Sequence, residues 1–379
     1  TRRDALHRIG LGFGGLALNT LLSEQVGAAQ LPAQFPARAK RVIFLFMHGG
    51  PSHVDLFDYK PRLAKDNGKP LPFPERKVQF AKRGNLLKPP WELRQVGQGG
   101  HWMSELWQHL PKVADELCML HSVCETNVSH GGACMKIHTG DEALLRPSMG
   151  AWVSYGLGSE SQSLPAYVVL EDSKGPPINR NQNWQSGYLP PVCQGTRFRS
   201  TGAPVLDLHP GKDVPDQMID LERDLIGELD RIHLGRRPHQ PSLGARIANY
   251  ELAARMQIEA SEALDLSKES LATKAMYGIG EDKTDSYGRR CLIARRLVER
   301  GVRFVQLFID GQIWDNHTSL KSGLRGACER TDKPTAGLLT DLRQRGLLDE
   351  VVVAWGGEMG RLPIAQLDGK KNEANSGRD

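Results

Sequence analysis

The sequence predicts an α/β fold of three layers (α/β/α), in which helices cover both faces of a mainly parallel central sheet. Four continuous apolar runs predict the strands, at residues 41–47, 166–170, 302–309 and 350–355. Because these runs do not alternate with polar residues, they are typical of strands that are buried on both faces. Helical patterns lie between the runs, as expected when helices connect parallel strands. With 39% hydrophobic residues, the 379-residue chain can form a sizeable core.

Hydrophobic periodicity indicates where the covering helices lie. Apolar residues recur at helical spacing in five stretches, which are residues 129–138, 214–235, 242–277, 287–300 and 334–345. Residues 60–105, rich in proline, lysine and glycine, are predicted to form a long excursion, and the glycine-, proline- and asparagine-rich residues 171–210 a loop region. The sequence has no internal repeat, and we expect a single domain over residues 41–379.

The first residues have the composition of an export signal. Arg2 and Arg3 precede a weakly apolar, glycine-rich stretch at 9–22, and small residues follow. This order predicts a twin-arginine signal peptide over residues 1–29, and an ordinary amphipathic helix is the alternative. Residues 30–40, rich in proline and alanine, are predicted to be a linker. The mature protein is then expected in the periplasm or outside the cell.

Charge and cysteine spacing argue against several classes of protein. The 49 Lys and Arg residues against 44 Asp and Glu residues give a net charge of +5, without any long basic run, so no nucleic-acid partner is expected. After the predicted signal, no stretch is apolar and long enough to cross a membrane. The six cysteines form no CxxC pair, which gives no support to a zinc ribbon or a thioredoxin-type site. We expect mostly buried free thiols, with room for one disulfide.

Acidic residues and histidines follow three of the four predicted strands. His48 and Asp55 come after the first strand, Asp315 and His317 after the third, and Glu358 after the fourth. Ligands bind beyond the carboxyl ends of the strands in open α/β sheets, so these side chains are expected in one cleft. Mixed His, Asp and Glu ligands suit zinc or manganese, and carboxylate-rich ones suit calcium or magnesium. The alternative for each residue taken alone is a turn or a helix cap.

Ser129 lies between an apolar segment and a predicted helix. The free N–H groups and the dipole at a helix start favour anions, and a metal ion can make a hydroxyl there a nucleophile toward phosphate or sulfate. The alternative is that Ser129 only caps the helix. Gly131 and Gly132 are poor helix formers, which favours close approach by a ligand.

Four motifs resemble a known family. They are HGGPSHVDLFDYKP at 48–61, RPSMGAWVSYGLG at 146–158, WDNH at 314–317 and WGGEMGRLP at 355–363. These motifs, together with the twin arginine, resemble an exported bacterial family catalogued as domain of unknown function 1501. That family is similar in fold to the alkaline phosphatase and sulfatase superfamily, and it brings no settled activity. The resemblance covers essentially the whole chain.

The superfamily resemblance implies roles for particular residues. Counting back from Thr139 and Gly140 places the nucleophile at Ser129. The metal ligands implied are Asp55 or His48, Asp315, His317 and Glu358. Gly131 and Ala133 replace the proline and arginine of the sulfatase motif, so no formylglycine is expected. A further histidine is expected beyond the last residue, Asp379, so the sequence is expected to be incomplete at its C-terminus.

Two functions follow from these residues. The first is an exported, metal-dependent hydrolase of a small phosphate or sulfate ester, with zinc, calcium or manganese as the metal and Ser129 as nucleophile. The alternative is a non-catalytic secreted binding protein that keeps the fold. Ligands at three strand ends favour the enzyme. Glu358, where the superfamily usually has Asp-His, and the altered nucleophile motif favour the binding protein.

Overall fold

The computed structural model describes residues 38–74, 82–124, 127–199, 215–237, 239–309, 311–367 and 377–378. The predicted signal peptide and residues 30–37 of the predicted linker lie outside these ranges, so both stay predictions. The residues from Lys40 onward form one unit, which contains the central sheet and the candidate site.

Five parallel strands form the central sheet. The strands described are β1 (Arg41–Phe46), β2 (Lys82–Leu86), β3 (Leu93–Val96), β4 (His101–Ser104), β5 (Tyr167–Leu170), β6 (Thr196–Phe198), β7 (Phe304–Phe308), β8 (Val351–Gly356), β9 (Ile364–Leu367) and β10 (Gly377–Arg378). The sheet order is β6-β5-β7-β1-β8, which confirms the prediction of a mainly parallel sheet in an α/β fold. Phe46 of β1 is in register with Phe308 and Gly356, so the carboxyl ends of β7, β1 and β8 lie side by side.

Helices accompany this sheet. The α-helices described are α1 (His53–Leu56), α2 (Pro61–Lys65), α3 (His130–Thr139), α4 (Met149–Leu157), α5 (Asp216–Gly235), α6 (Pro241–Leu264), α7 (Leu271–Met276), α8 (Asp285–Glu299) and α9 (Leu320–Gln344). Short 3-10 helices are Leu110–Glu116, Arg180–Trp184 and Pro191–Cys193. None of the helices in the described ranges is long and apolar enough to span a membrane.

Side chains of β1 alternate between two hydrophobic clusters. Ile43 and Leu45 belong to the cluster that also contains residues of α8 and α9. Phe44 and Phe46 belong to the other cluster, which includes Cys134 of α3. Because both faces of the strand are covered, it needs apolar residues at every position, and this explains its continuous apolar run.

Residues 60–105, predicted as a long excursion, contain short elements that the sequence analysis did not identify. These are helix α2, strand β2 and the antiparallel hairpin of β3 and β4. The three strands are only four or five residues long and mostly polar, so they lack the apolar signal of a buried strand. Strand β2 joins β9 and β10 in a second, antiparallel sheet, in the order β10-β9-β2.

Two helix predictions also needed correction. The predicted helix over 242–277 is interrupted between α6 and α7, because Asp265 leaves the helical conformation and accepts a hydrogen bond from the Ser267 N–H. The predicted helix over 334–345 begins much earlier, at Leu320, and contains Pro334. A proline inside a helix removes one hydrogen bond, and buried residues such as Leu324 on the preceding turns keep the helix packed against the core.

The cysteines follow the expectation of free thiols. All six lie in the described part of the chain and none is paired. Cys118 and Cys124 are exposed, and the other four are buried, at Cys134, Cys193, Cys291 and Cys328.

Candidate metal centre

The turn after β1 brings the ends of three strands together. Gly49 and Gly50 have φ angles of 108° and 73°, in the left-handed region that favours glycine. A Cβ on Gly49 would lie 2.6 Å from the backbone nitrogen of Asp315, so a larger residue would push the loop after β7 away. The Gly49 N–H donates to both carboxylate oxygens of Glu358, at 2.9 and 3.2 Å. The turn therefore joins the loop after β7 to the loop after β8.

Two histidines face one carboxylate at this edge of the sheet. His130 Nε2 lies 3.3 Å from Asp315 Oδ2, and His317 Nε2 lies 2.8 Å from the same oxygen. His130 Nδ1–H donates to Glu358 Oε1 at 2.6 Å. His317 Nδ1–H donates to Gln366 Oε1 at 2.7 Å. Partners of this kind fix the orientation of a metal-binding imidazole and leave the other nitrogen for the metal.

These three side chains, which we call the outer group (His130, Asp315 and His317), are close enough to share one ion. Their ligand atoms all lie within 4.8 Å of one another. The group is partly open, because the His317 side chain is 45% exposed. Three protein ligands with an open side are typical of catalytic metal sites.

Protonation of the outer group indicates a preference for positive charge. Burial lowers the pKa of His130, but hydrogen bonds to Asp315 and Glu358 outweigh it and raise the pKa to about 9. The hydrogen bond to Asp315 also raises the pKa of His317. Burial raises the pKa of Asp315, but hydrogen bonds from both histidines and from Arg361 lower it far below its usual range. A site that draws protons onto two imidazoles also attracts a divalent cation, which would displace those protons.

Arg361, in the loop after β8, holds Asp315 from the other side. Its Nη2 lies 2.7 Å from Asp315 Oδ1. The same guanidinium donates to the backbone carbonyls of Gly49 and Gly50. Arg361 is buried, so this contact is shielded from water. It fixes the carboxylate so that Oδ2 remains for the two histidines.

A second, deeper set of side chains adjoins the first, and we call it the inner group (His48, Cys134 and Glu358). The three residues are 3%, 0% and 3% exposed, and their ligand atoms lie within 4.8 Å of one another. Neither ring nitrogen of His48 has a hydrogen-bond partner among the described residues. Burial lowers the pKa of His48 and, with the charge of Glu358, raises that of the Cys134 thiol.

Ser129 occupies the N-cap position of α3, directly before His130. Its backbone is extended, but its hydroxyl makes no capping hydrogen bond. Ser148 differs, because its Oγ accepts a hydrogen bond from the Ala151 N–H at the start of α4. The interpretation of Ser129 as a simple helix cap therefore lacks the hydrogen bond on which it depends.

Asparagine side chains of the same chain lie against Gly131 and Gly132, the two glycines after Ser129. A Cβ on Gly132 would lie 2.2 Å from Asn127 Nδ2. The Gly131 carbonyl accepts a hydrogen bond from Asn179 Nδ2 at 2.6 Å. Close approach of the Asn127 side chain thus explains Gly132, and the glycine gives no independent evidence of a ligand.

The side chain of Asp55 is bound by residues outside the inner and outer groups. It is fully buried, and Arg378 binds both of its carboxylate oxygens, with Nη2 to Oδ1 at 2.6 Å. Ser52 Oγ also donates to Asp55 Oδ2, at 2.6 Å. The ligands expected from the sequence are thus brought together at His48, Asp315, His317 and Glu358, whereas Asp55 forms a buried ion pair. Its role as a ligand stays a prediction.

His130 and Cys134 are the members of the two groups that the sequence analysis did not single out. They are four residues apart on α3, so their side chains lie on the same face of the helix. His138 continues this spacing by one more turn and packs against Phe46. A stripe of metal-binding residue types at helical spacing was the signal that could have found them.

This geometry defines a class of protein. It is an α/β protein with a polar, partly open cluster of side chains at the carboxyl edge of a parallel sheet. Residues 39–379 match the model of a family described as "Protein of unknown function (DUF1501)". The chain belongs to this family. No curated protein and no solved structure matches the chain. The similarity to the alkaline phosphatase and sulfatase superfamily stays a prediction.

Proposed function

We propose that this chain is an exported, metal-dependent hydrolase of phosphate or sulfate esters with an alkaline-phosphatase-like fold. The observation that carries the proposal is the pair of imidazoles that share Asp315. Both present Nε2 to one carboxylate oxygen, and both have Nδ1 held by a separate acceptor. Without a cation this arrangement needs a proton on Nε2 of each ring in addition to the one on Nδ1, and a bound cation would take the place of the two Nε2 protons.

The outer group fits a divalent metal ion. It offers two imidazole nitrogens and a carboxylate oxygen, a set that suits zinc or manganese better than calcium. His48 and Glu358, which the sequence also predicted as ligands, lie in the adjoining inner group. When bound, such an ion supplies positive charge that polarises an ester oxygen and lowers the pKa of a coordinated hydroxyl.

The residues of the chain would orient the ester and its nucleophile. Arg361 keeps Asp315 fixed, and Glu358 keeps His130 fixed, so the outer group needs little rearrangement. The free N–H groups at the start of α3 favour the negative oxygens of a phosphate or sulfate. Ser129, without a capping bond, would attack phosphorus or sulfur with Oγ, lose its proton and release the alcohol, which takes up a proton. Water would then hydrolyse the ester formed on Ser129, which releases phosphate or sulfate and restores the hydroxyl.

The test is turnover of an aryl phosphate and an aryl sulfate by the full-length protein loaded with zinc or manganese. We expect Ser129→Ala to lower turnover by several orders of magnitude and to leave metal content unchanged. Ser148→Ala is the matched control, because Ser148 caps a helix. It should cost about 1 kcal/mol of stability and leave turnover unchanged.

Two results would count against the proposal. If Ser129→Ala behaves like the Ser148→Ala control, Ser129 is not the nucleophile. If the metal-loaded protein hydrolyses neither ester, the non-catalytic binding protein becomes the better interpretation.

A further inference from the structure

The inner group is buried more deeply than the outer group. All three of its side chains are nine-tenths or more buried, so it has no evident role in contacting a substrate. It is nevertheless rich in groups that bind metal ions, with one imidazole, one thiol and one carboxylate within 4.8 Å. Any function proposed for the inner group must account for the burial of its imidazole, thiol and carboxylate.

His48 is the residue that points to a ligand. A buried polar group without a hydrogen bond destabilises the folded state, so native proteins rarely keep one without a reason. Both ring nitrogens of His48 are in this state among the described residues. The ring stacks on Phe46, which fixes its plane but satisfies neither nitrogen. A metal ion at one of the nitrogens would account for the burial.

Cys134 and Glu358 complete the set. Cys134 comes from the helix that also carries His130, and its thiol is fully buried. Glu358 Oε1 already accepts from Gly49 N–H and His130 Nδ1–H, and a carboxylate has lone pairs for further partners. A thiolate and a carboxylate together carry two negative charges, which a divalent ion would neutralise in this buried site.

We propose that His48, Cys134 and Glu358 hold a second, thiophilic divalent ion, with zinc as the best match. A thiolate ligand selects zinc over calcium, magnesium or manganese, which prefer oxygen. The thiol loses its proton to solvent when the sulfur binds the ion, and no electron transfer is involved. This ion would be structural, and Glu358 would connect it to His130 of the outer group.

The test uses the full-length protein with its metal replaced by cobalt(II). A thiolate bound to cobalt(II) gives an intense charge-transfer absorption in the near ultraviolet, which nitrogen and oxygen ligands do not give. We expect wild-type protein to bind about two ions per chain and to show this absorption. Cys134→Ser should lose the absorption and about one ion per chain. Cys193→Ser, which removes another buried cysteine outside both groups, should keep both.

Asp315→Asn separates this inference from the proposed hydrolase. It should lose the outer ion and keep the thiolate absorption. Turnover of esters without the absorption would support the hydrolase and overturn the inner site, and absorption without turnover would do the reverse. Absence of the absorption in wild-type protein at full cobalt loading overturns the inference even if Cys134→Ser does not fold. Persistence of the absorption in a folded Cys134→Ser protein also overturns it.

Discussion

Buried charges are balanced in different ways at two places in this protein. Between α8 and α9, the guanidinium of Arg295 lies 2.9 Å from Glu269 and 2.9 Å from Asp341, and Arg345 lies 2.8 Å from Asp341. At the carboxyl edge of the sheet, Asp315 faces two histidines as well as Arg361. Arginine keeps its charge at every ordinary pH, whereas histidine keeps it only when protonated.

This difference indicates that the arginine network stabilises the fold and that the outer group is suited to bind a cation. The arginine network between the helices is balanced by the chain itself, so it needs no ligand to be stable. In the outer group Arg361 pairs with Asp315 at any ordinary pH, but the two imidazole Nε2 atoms that face Asp315 can donate to it only while they are protonated. Protons held at ligand atoms in this way can be exchanged for a metal ion. We therefore expect substitutions in the outer group to lower metal binding, and substitutions in the arginine network to lower the stability of the fold without affecting metal binding.

The largest effect is expected from Asp315→Asn in the outer group. The amide keeps the shape of the side chain but removes the charge that attracts the cation, so metal affinity and ester turnover should fall by orders of magnitude. The metal-free protein should also lose stability, because the amide no longer pairs with the buried Arg361 or with the protonated histidines, so metal content is compared per folded chain. Asp58→Asn is the control, because Asp58 is a half-buried carboxylate in the loop after β1 that belongs to neither group. Normal metal binding by Asp315→Asn would show that the outer group is not the metal site.

The reverse pattern is expected from Asp341→Ala in the arginine network. It removes one of three carboxylates around the buried Arg295, which keeps Glu269 and Glu299, so we expect a loss of about 1–3 kcal/mol. Tyr277 also loses the carboxylate to which its hydroxyl donates. Urea unfolding measures the loss, and metal content per folded chain should stay the same. Asp349→Ala, an exposed control, should change stability by less than about 0.5 kcal/mol. A large loss of metal from folded Asp341→Ala would show that metal binding also depends on the arginine network, contrary to this prediction.

The sequence could predict the edge of the sheet because unbroken apolar runs mark buried strands, and ligands follow such strands. Asp315, His317 and Glu358 follow strands β7 and β8 in the structure, and their role as metal ligands stays a prediction. The sequence could not predict which atoms face each other, because Gln366, which orients His317, comes from a short strand outside the central sheet. Arg378, which binds Asp55, is more than 300 residues away in sequence. Long-range partners of this kind leave no local pattern.

The smallest effect expected is a dependence of stability on pH in the metal-free protein. His130 has a pKa raised to about 9 in the folded state, against 6.5 for an unperturbed histidine. A raised pKa means that the folded state binds the proton more tightly, so this stabilisation is complete below about pH 6.5 and is lost as pH rises through 9. The raised pKa of His317 acts in the same direction. The lowered pKa values of His48 and His138 act below pH 6.5 and do not affect this window.

Urea midpoints of chelator-treated protein should therefore fall between pH 6.5 and pH 9. Zinc-loaded protein should not follow this fall, because its ligands have already given up their protons and because metal affinity rises with pH. His130→Gln should remove most of the fall, and His121→Gln, which changes an exposed histidine, should retain it. A midpoint that is flat or rises over this range in the metal-free wild type would mean that the outer group does not hold its charge balance with protons. The comparison with the arginine network would then lose its physical basis, since both regions would be balanced independently of pH.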